Sequence, residues 1–131
     1  MIKLTIQTNT KSELVDITSH IQNAVDDVGL QDGLCAIFVP HTTAGLTLNE
    51  NWDPDVKSDI LLTLGEMAPP NPRHEHSEGN SPAHIKAALM GASALVFVQG
   101  GELQLGSWQG IYLAEFDGPR RRNVWVTTIA T

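Results

Sequence analysis

Four of the five histidines fall in two short stretches of the chain. His41 opens the string His41-Thr42-Thr43-Ala44-Gly45, and His74, His76 and His84 follow within eleven residues. Imidazole is the commonest metal ligand near neutral pH, and three imidazoles with a water make an open catalytic zinc site. No compact His-Glu-x-x-His string is present. Spacing alone therefore leaves two readings open: a metal site, or His41 and His84 bonded to backbone with His74 and His76 solvated. Glu50, Glu78 and Glu115 are the carboxylates placed to exchange protons or to orient an imidazole. The plain alternatives are a satisfied strand residue for Glu115 and a charge before a helix N-terminus for Glu50. Thr42 and Thr43 carry hydroxyls that can donate to an anion or simply form a turn. Arg120, Arg121 and Arg122 are three of only eight basic residues. Such a run is either a bidentate phosphate partner or a solvated cluster at a strand end, and Arg120, closing Asp117-Gly118-Pro119, is its best anion-binding member. Cys35 reads as core filling within an apolar run, and Trp108, after two small residues, as packing.

The elements that must position these groups follow from periodicity. Ile2, Leu4 and Ile6 alternate with polar neighbours, and Leu14, Val15 and Ile17 form a second short strand after a polar turn. Ile21, Ala24, Val25 and Val28 then mark a helical face, with Ser19 and Gln22 as its capping box and Gly29 as its stop. Residues 34–39 are a continuous apolar run, the pattern of a strand buried on both faces. A strand at 46–48 leads to a helix with Asp53 as N-cap and Pro54 in its first turn. The stretch 68–80 breaks into prolines and polar residues and predicts a functional loop. Ser81-Pro82 starts a helix over 83–90. Strands are expected at 95–98, 103–105, 110–116 and 124–129. Strands and helices are mixed rather than alternating, which predicts an α+β fold in one domain over residues 1–131.

Composition narrows the function classes. With 131 residues, 41% apolar and 18% charged, the chain is of one-domain size and too apolar for a disordered tail. The net charge of −7 argues against a general nucleic-acid surface but leaves room for one small anionic metabolite. No apolar run reaches the length of a membrane span, and the alternating N-terminus is unlike a signal peptide, so the cytoplasm is the expected location. One cysteine excludes an internal disulfide.

Longer strings complete the picture. Pro40-His41-Thr42-Thr43-Ala44-Gly45-Leu46-Thr47-Leu48-Asn49-Glu50-Asn51 with Asp53-Pro54, then Glu78-Gly79-Asn80-Ser81, Ala83-His84-Ile85-Lys86-Ala87, Leu105-Gly106-Ser107-Trp108-Gln109-Gly110-Ile111 and Glu115-Phe116-Asp117-Gly118-Pro119-Arg120 occur in this order. In these the chain resembles the YjbQ family, described as uncharacterised or as secondary thiamine-phosphate synthases. The resemblance implies a two-sheet β-sandwich with about three helices, assembled as a homotrimer, with a cleft lined by the signature residues. Within that cleft the candidate catalytic residues are Glu50, Glu78 and Glu115, and the candidate substrate-binding residues are Thr42, Thr43, Asn80, Ser81, Gln109 and Arg120. The resemblance also implies a divalent metal, zinc before others, on His41, His84 and a histidine of the 74–76 segment. His76 fits the His-x-Glu-Gly spacing better than His74. No organic cofactor is implied. Trp52 stands where some members carry cysteine, so no thiol is required there. The implied reaction joins hydroxymethylpyrimidine diphosphate to thiazole phosphate and releases diphosphate. The alternatives are a metal-dependent hydrolase of a small phosphorylated metabolite and a non-catalytic trimer that binds an anionic metabolite.

Overall fold

The computed structural model describes residues 1–131. Strands β1 (Ile2–Gln7) and β2 (Glu13–Asp16) precede helix α1 (Thr18–Val28). Strands β3 (Gly33–Phe38) and β4 (Ala44–Glu50) lead into helices α2 (Pro54–Met67) and α3 (Ser81–Met90). Four strands end the chain: β5 (Ser93–Gln99), β6 (Glu102–Leu103), β7 (Gln109–Glu115) and β8 (Arg121–Ala130). One antiparallel sheet runs β1-β8-β3-β5-β6 and the other β2-β7-β4. The α+β class, the two-sheet sandwich and the three helices all stand as expected.

The main core lies between the sheets. Cys35, Ile37, Val96, Val124 and Val126 of the larger sheet meet Leu46, Ile111 and Leu113 of the smaller, and Ile21, Ala24 and Val25 of α1 join them. Each such aliphatic side chain contributes about 1.5–3 kcal/mol on leaving water, which is what clamps the sheets together. A second cluster lies on the far side of the smaller sheet, where Leu14, Tyr112, Ala114 and Phe116 pack with Ala83 and Ala87 of α3 and with Ile60, Leu61 and Leu64 of α2. The sandwich thus carries a third layer of two helices. Gly45 allows the close approach of α3, since a Cβ there would stand 2.6 Å from the Gly91 carbonyl oxygen.

Several local expectations change. The strand buried on both faces is β7, every residue of which from Gly110 to Glu115 is buried. In β3 only alternate residues are buried, and Phe38 is exposed. The apolar run at 34–39 reads as doubly buried because its outer face, with Leu95, Phe97 and Ile129 on neighbouring strands, is apolar yet uncovered in the single chain. The capping box is not formed. Asp16 accepts from the Thr18 N–H and hydroxyl at 2.9 and 2.6 Å, ahead of the helix. Gln22 instead accepts from Leu103 N–H at 3.1 Å and donates to the Gly101 carbonyl at 2.8 Å, tying α1 to β6. Strand β8 begins three residues before Val124, which brings Arg121 to Asn123 into the sheet. No helix is long and apolar enough to cross a membrane.

Candidate functional site

The signature residues occupy the two ends of the β4–β7 ladder. Ala44 pairs with Glu115 at one end and Glu50 with Gln109 at the other. The six intervening steps of about 3.3 Å set these ends roughly 20 Å apart.

The first end is built on Arg122. Residues Val124 and Val126 point into the sandwich, so Arg122, two before Val124 on the same strand, points inward too and is only 2% exposed. A buried guanidinium needs a partner, and Glu115, fully buried on β7, supplies it. Arg122 Nε donates to Glu115 Oε1 and Oε2 at 2.9 and 3.1 Å, and Nη2 donates to Oε2 as well. The same carboxylate accepts from the Thr8 hydroxyl at 2.7 Å and from the Phe116 and Asp117 N–H groups, both at 3.1 Å. Burial pushes the Glu115 carboxyl up, but the hydrogen bonds from Arg122, Thr8 and the Asp117 N–H outweigh it and hold the group below the usual carboxylate range. Gly118 permits this arrangement, because a Cβ there would meet Thr10 O at 2.3 Å and the Glu115 and Thr8 side chains at 2.9 Å.

These contacts revise three expected roles. Glu115, expected to exchange protons, is a saturated buried anion that positions Arg122. Thr43, expected to donate to substrate, is buried, and its hydroxyl and carbonyl accept from Arg122 Nη2 at 2.9 and 3.2 Å. Arg120, expected as the anion-binding arginine, is exposed and paired with Asp117, donating through Nε to its carbonyl at 2.9 Å and through Nη2 to its carboxylate at 2.8 Å.

With Nε and Nη2 engaged, Arg122 keeps Nη1, which makes no hydrogen bond within the chain. Arg122 lines a cavity of about 460 Å³ together with His41, Thr42, Thr43 and Arg120. His41 Nε2 accepts from the Asn123 N–H at 2.8 Å, so the neutral ring carries its hydrogen on Nδ1 as a donor. Burial and then the positive Arg122 lower the His41 pKa below its ordinary value, with Arg120 adding to the effect against a partial opposition from Glu115. At this end the structure collects an arginine nitrogen without a partner, Thr42 and a neutral imidazole, a donor set suited to phosphoryl oxygens. Both cavity arginines have a carboxylate partner, so donor geometry rather than net positive charge would hold an anion.

A tether leads from here to α3. Asn80 Nδ2 donates to Asp117 Oδ2 at 2.9 Å, the oxygen that also pairs with Arg120. Asn80 Oδ1 is buried without a partner. Asn80 rather than Ser81 stands at the N-cap of α3, where neither its side chain nor that of Ser81, the first helical residue, caps the helix. His84, one turn in, meets His76 of the 68–80 loop edge to face at 5.2 Å between ring centres. His76 lies 3.9 Å from the exposed Glu78 carboxylate. No three histidine, cysteine or carboxylate groups come together in an arrangement able to hold a metal. Within one chain the expected His41, His76 and His84 set is not gathered into a single group. His76 and His84 form a pair, and His41 serves the arginine cavity with its Nε2 already occupied.

At the second end of the ladder, Glu50 and Gln109 line a separate cavity of about 370 Å³ with Asn49 and the loop of Gly106, Ser107 and Trp108. The Tyr112 hydroxyl, buried under α2, donates to the Glu50 carbonyl at 3.1 Å. Burial raises the Tyr112 pKa, and the nearby Asp16 and Glu50 carboxylates raise it further.

Residues 2–131 match the family model described as UPF0047 protein YjbQ-like. The UPF0047 protein MJ1081 of Methanocaldococcus jannaschii is 50% identical over 129 residues, 98% of this chain and 94% of that protein. The UPF0047 protein YugU of Bacillus subtilis is 46% identical over 124 residues, 94% of each chain. The crystal structure of an uncharacterised conserved YjbQ/UPF0047 protein from Clostridium acetobutylicum superposes with a TM-score of 0.95 at 50% identity, covering 98% of this chain and all of the other. A conserved hypothetical protein of Thermus thermophilus superposes at 0.93 with 44% identity over 98% of this chain and 100% of that one.

Proposed function

The chain belongs to the YjbQ-like UPF0047 family, and from that premise we propose that it binds a small phosphorylated metabolite in the Arg122 cavity and acts as a transferase of the thiamine-phosphate synthase kind. The observation that carries the reading is the free Nη1 of a buried arginine beside a cavity. Joining hydroxymethylpyrimidine diphosphate to thiazole phosphate breaks the carbon–oxygen bond to the diphosphate and forms a carbon–nitrogen bond. Such a step asks for stabilisation of the departing anion more than for a nucleophile. Arg122 and the Nδ1–H of His41 supply donors for it, and Glu115 with Thr43 hold the guanidinium at a fixed angle so that little reorganisation is needed.

A second reading, a non-catalytic binding protein, is favoured by the saturation of Glu115, which leaves His41 as the one titratable base in the cavity. Under either reading we assign the protein to the cytoplasm and to a homotrimer. The support for assembly is the uncovered apolar face of the larger sheet, where Phe38, Leu95, Phe97 and Ile129 are exposed together.

Calorimetric titration with diphosphate, followed by an assay of diphosphate release, tests the proposal. Binding should be lost in Arg122→Lys and weakened less in Arg120→Ala. Release only with both thiamine precursors supports the transferase. Phosphate release from either precursor alone would point to a hydrolase, and binding without turnover to the second reading. Unchanged binding in Arg122→Lys would remove the cavity from consideration.

A further inference from the structure

The loop at the Glu50 end presents an indole in a way that packing does not explain. Two small residues precede Trp108 and predict a packed ring, yet the residue is 64% exposed. Its backbone sits at φ 60°, and it is the one residue other than glycine with positive φ. A bulky side chain in that region is strained by roughly 1–3 kcal/mol and stays there only when its surroundings hold it. They do so here. The Trp108 carbonyl accepts from Asn51 N–H at 2.7 Å, Gln109 N–H donates to Gly106 O at 3.1 Å, and the Gln109 side chain accepts from Gly106 N–H at 2.8 Å. The backbone is thus fixed while the ring is left in solvent, at the rim of the 370 Å³ cavity that Glu50 also lines. The register puts Glu50 opposite Gln109, one residue from Trp108. The Glu50 carboxylate has no ion-pair partner in the chain.

We propose that this cavity is a binding site for a small planar cation, an amidinium-like or protonated amino-heteroaromatic group that lies on the Trp108 indole and pairs with the Glu50 carboxylate. An indole face attracts a cation through its quadrupole, and a carboxylate in the plane of an amidinium accepts two parallel hydrogen bonds. A flat cation satisfies both partners at once, which neither a neutral ring nor an anion does. The volume is at the small end of ligand pockets and matches a single ring. The site is chemically opposite to the arginine cavity and roughly 20 Å from it along β4, so it stands even if the phosphate reading fails.

The test uses the whole chain labelled with 5-fluorotryptophan, whose three fluorine signals are assigned by single Trp→Phe changes at Trp52, Trp108 and Trp125. Benzamidinium is the probe, with neutral benzamide and anionic benzoate as comparisons. The Trp108 signal should move saturably with benzamidinium in the millimolar range and stay in place with the other two. Glu50→Gln, which keeps shape and removes charge, should weaken binding about fivefold. Circular dichroism identical to the parent shows that the fold is kept. An equal response to benzamide, an unaltered affinity in Glu50→Gln, or a response confined to Trp52 or Trp125 would overturn the proposal. So would a Trp108 signal that moves with protein concentration instead, which would make the indole a contact between copies.

Discussion

Replacing Glu115 by alanine isolates the claim on which the arginine cavity rests. The change removes the sole carboxylate facing a guanidinium that is 2% exposed, leaving Thr43 oxygens as its remaining acceptors in the chain. Breaking a buried pair from one side costs about 3–5 kcal/mol, because the remaining charge keeps its desolvation penalty without its partner. Against a typical domain stability of about 5–15 kcal/mol, that is roughly a fifth of the total or more. For a chain of this size it lowers the melting temperature by roughly 10–20 °C. Asp117→Ala breaks the Arg120 pair and the Asn80 tether at a partly buried carboxylate and should cost about 2 kcal/mol or less. The double change Glu115→Gln with Arg122→Met removes both charges and should recover most of the loss, while diphosphate binding stays absent. The pH dependence has a definite sign. Glu115 is held below its usual range in the folded protein, so its contribution is complete above the unfolded carboxyl value near 4.5 and disappears as pH falls through the lower folded value. Urea unfolding of the four proteins at pH 7 and across the acid range measures the stabilities, thermal melts the temperature shift, and calorimetric titration the diphosphate binding. A Glu115→Ala loss no greater than that of Asp117→Ala would refute the buried pair as the support of Arg122.

Three further outcomes are expected. Cys35, buried in β3 with its thiol pushed up by burial to about 11, should resist alkylation at pH 8 in the folded protein and react once urea unfolds it; equal rates in the two states would contradict its place in the core. His41 should titrate below its ordinary 6.5 in an NMR experiment, so the stability it confers as a neutral ring is complete above 6.5 and declines as pH drops toward its folded value. Diphosphate added at saturation should raise that pKa, and no movement would separate His41 from the anion. Sedimentation should find a trimer at micromolar concentration, and Phe97→Lys on the exposed sheet face should shift it toward monomer; a parent that sediments as a monomer would leave that apolar face without the proposed partner.

The α+β class, the Gly29 stop of α1 and most strands were legible because alternation and glycine punctuation report local backbone demands directly. What escaped reading depended on which elements meet across the sandwich. The run at 34–39 and the strand at 109–115 look equally apolar, and only the third layer of helices decides which is covered on both sides. Arg122 was within reach of the same alternation: counting back two from Val124 assigns it to the interior. A charge is not counted as part of an apolar stripe, so the strand appeared to start later and the exposed Arg120 drew attention instead. Gln22 looked like a capping residue because its partner, the β6 backbone, lies about 80 residues away in sequence. Trp108 was hidden for a different reason. Its exposure follows from a backbone angle that no composition or spacing rule anticipates.

The doubly buried β7 has a consequence for how the chain finds its fold. Ile111, Leu113 and Glu115 face one apolar compartment, and Tyr112, Ala114 and Phe116 face the other. Either set is hydrophobic enough to fill either side, so oil alone would tolerate a slip of one position between β7 and its neighbours. The carboxylate does not. A one-residue shift turns Glu115 toward the helices and leaves Arg122 buried alone, an error of several kcal/mol concentrated at a single position. The ion pair thus works as an alignment mark, read only when the ladder is in register, and the same reading sets the arginine into the cavity wall.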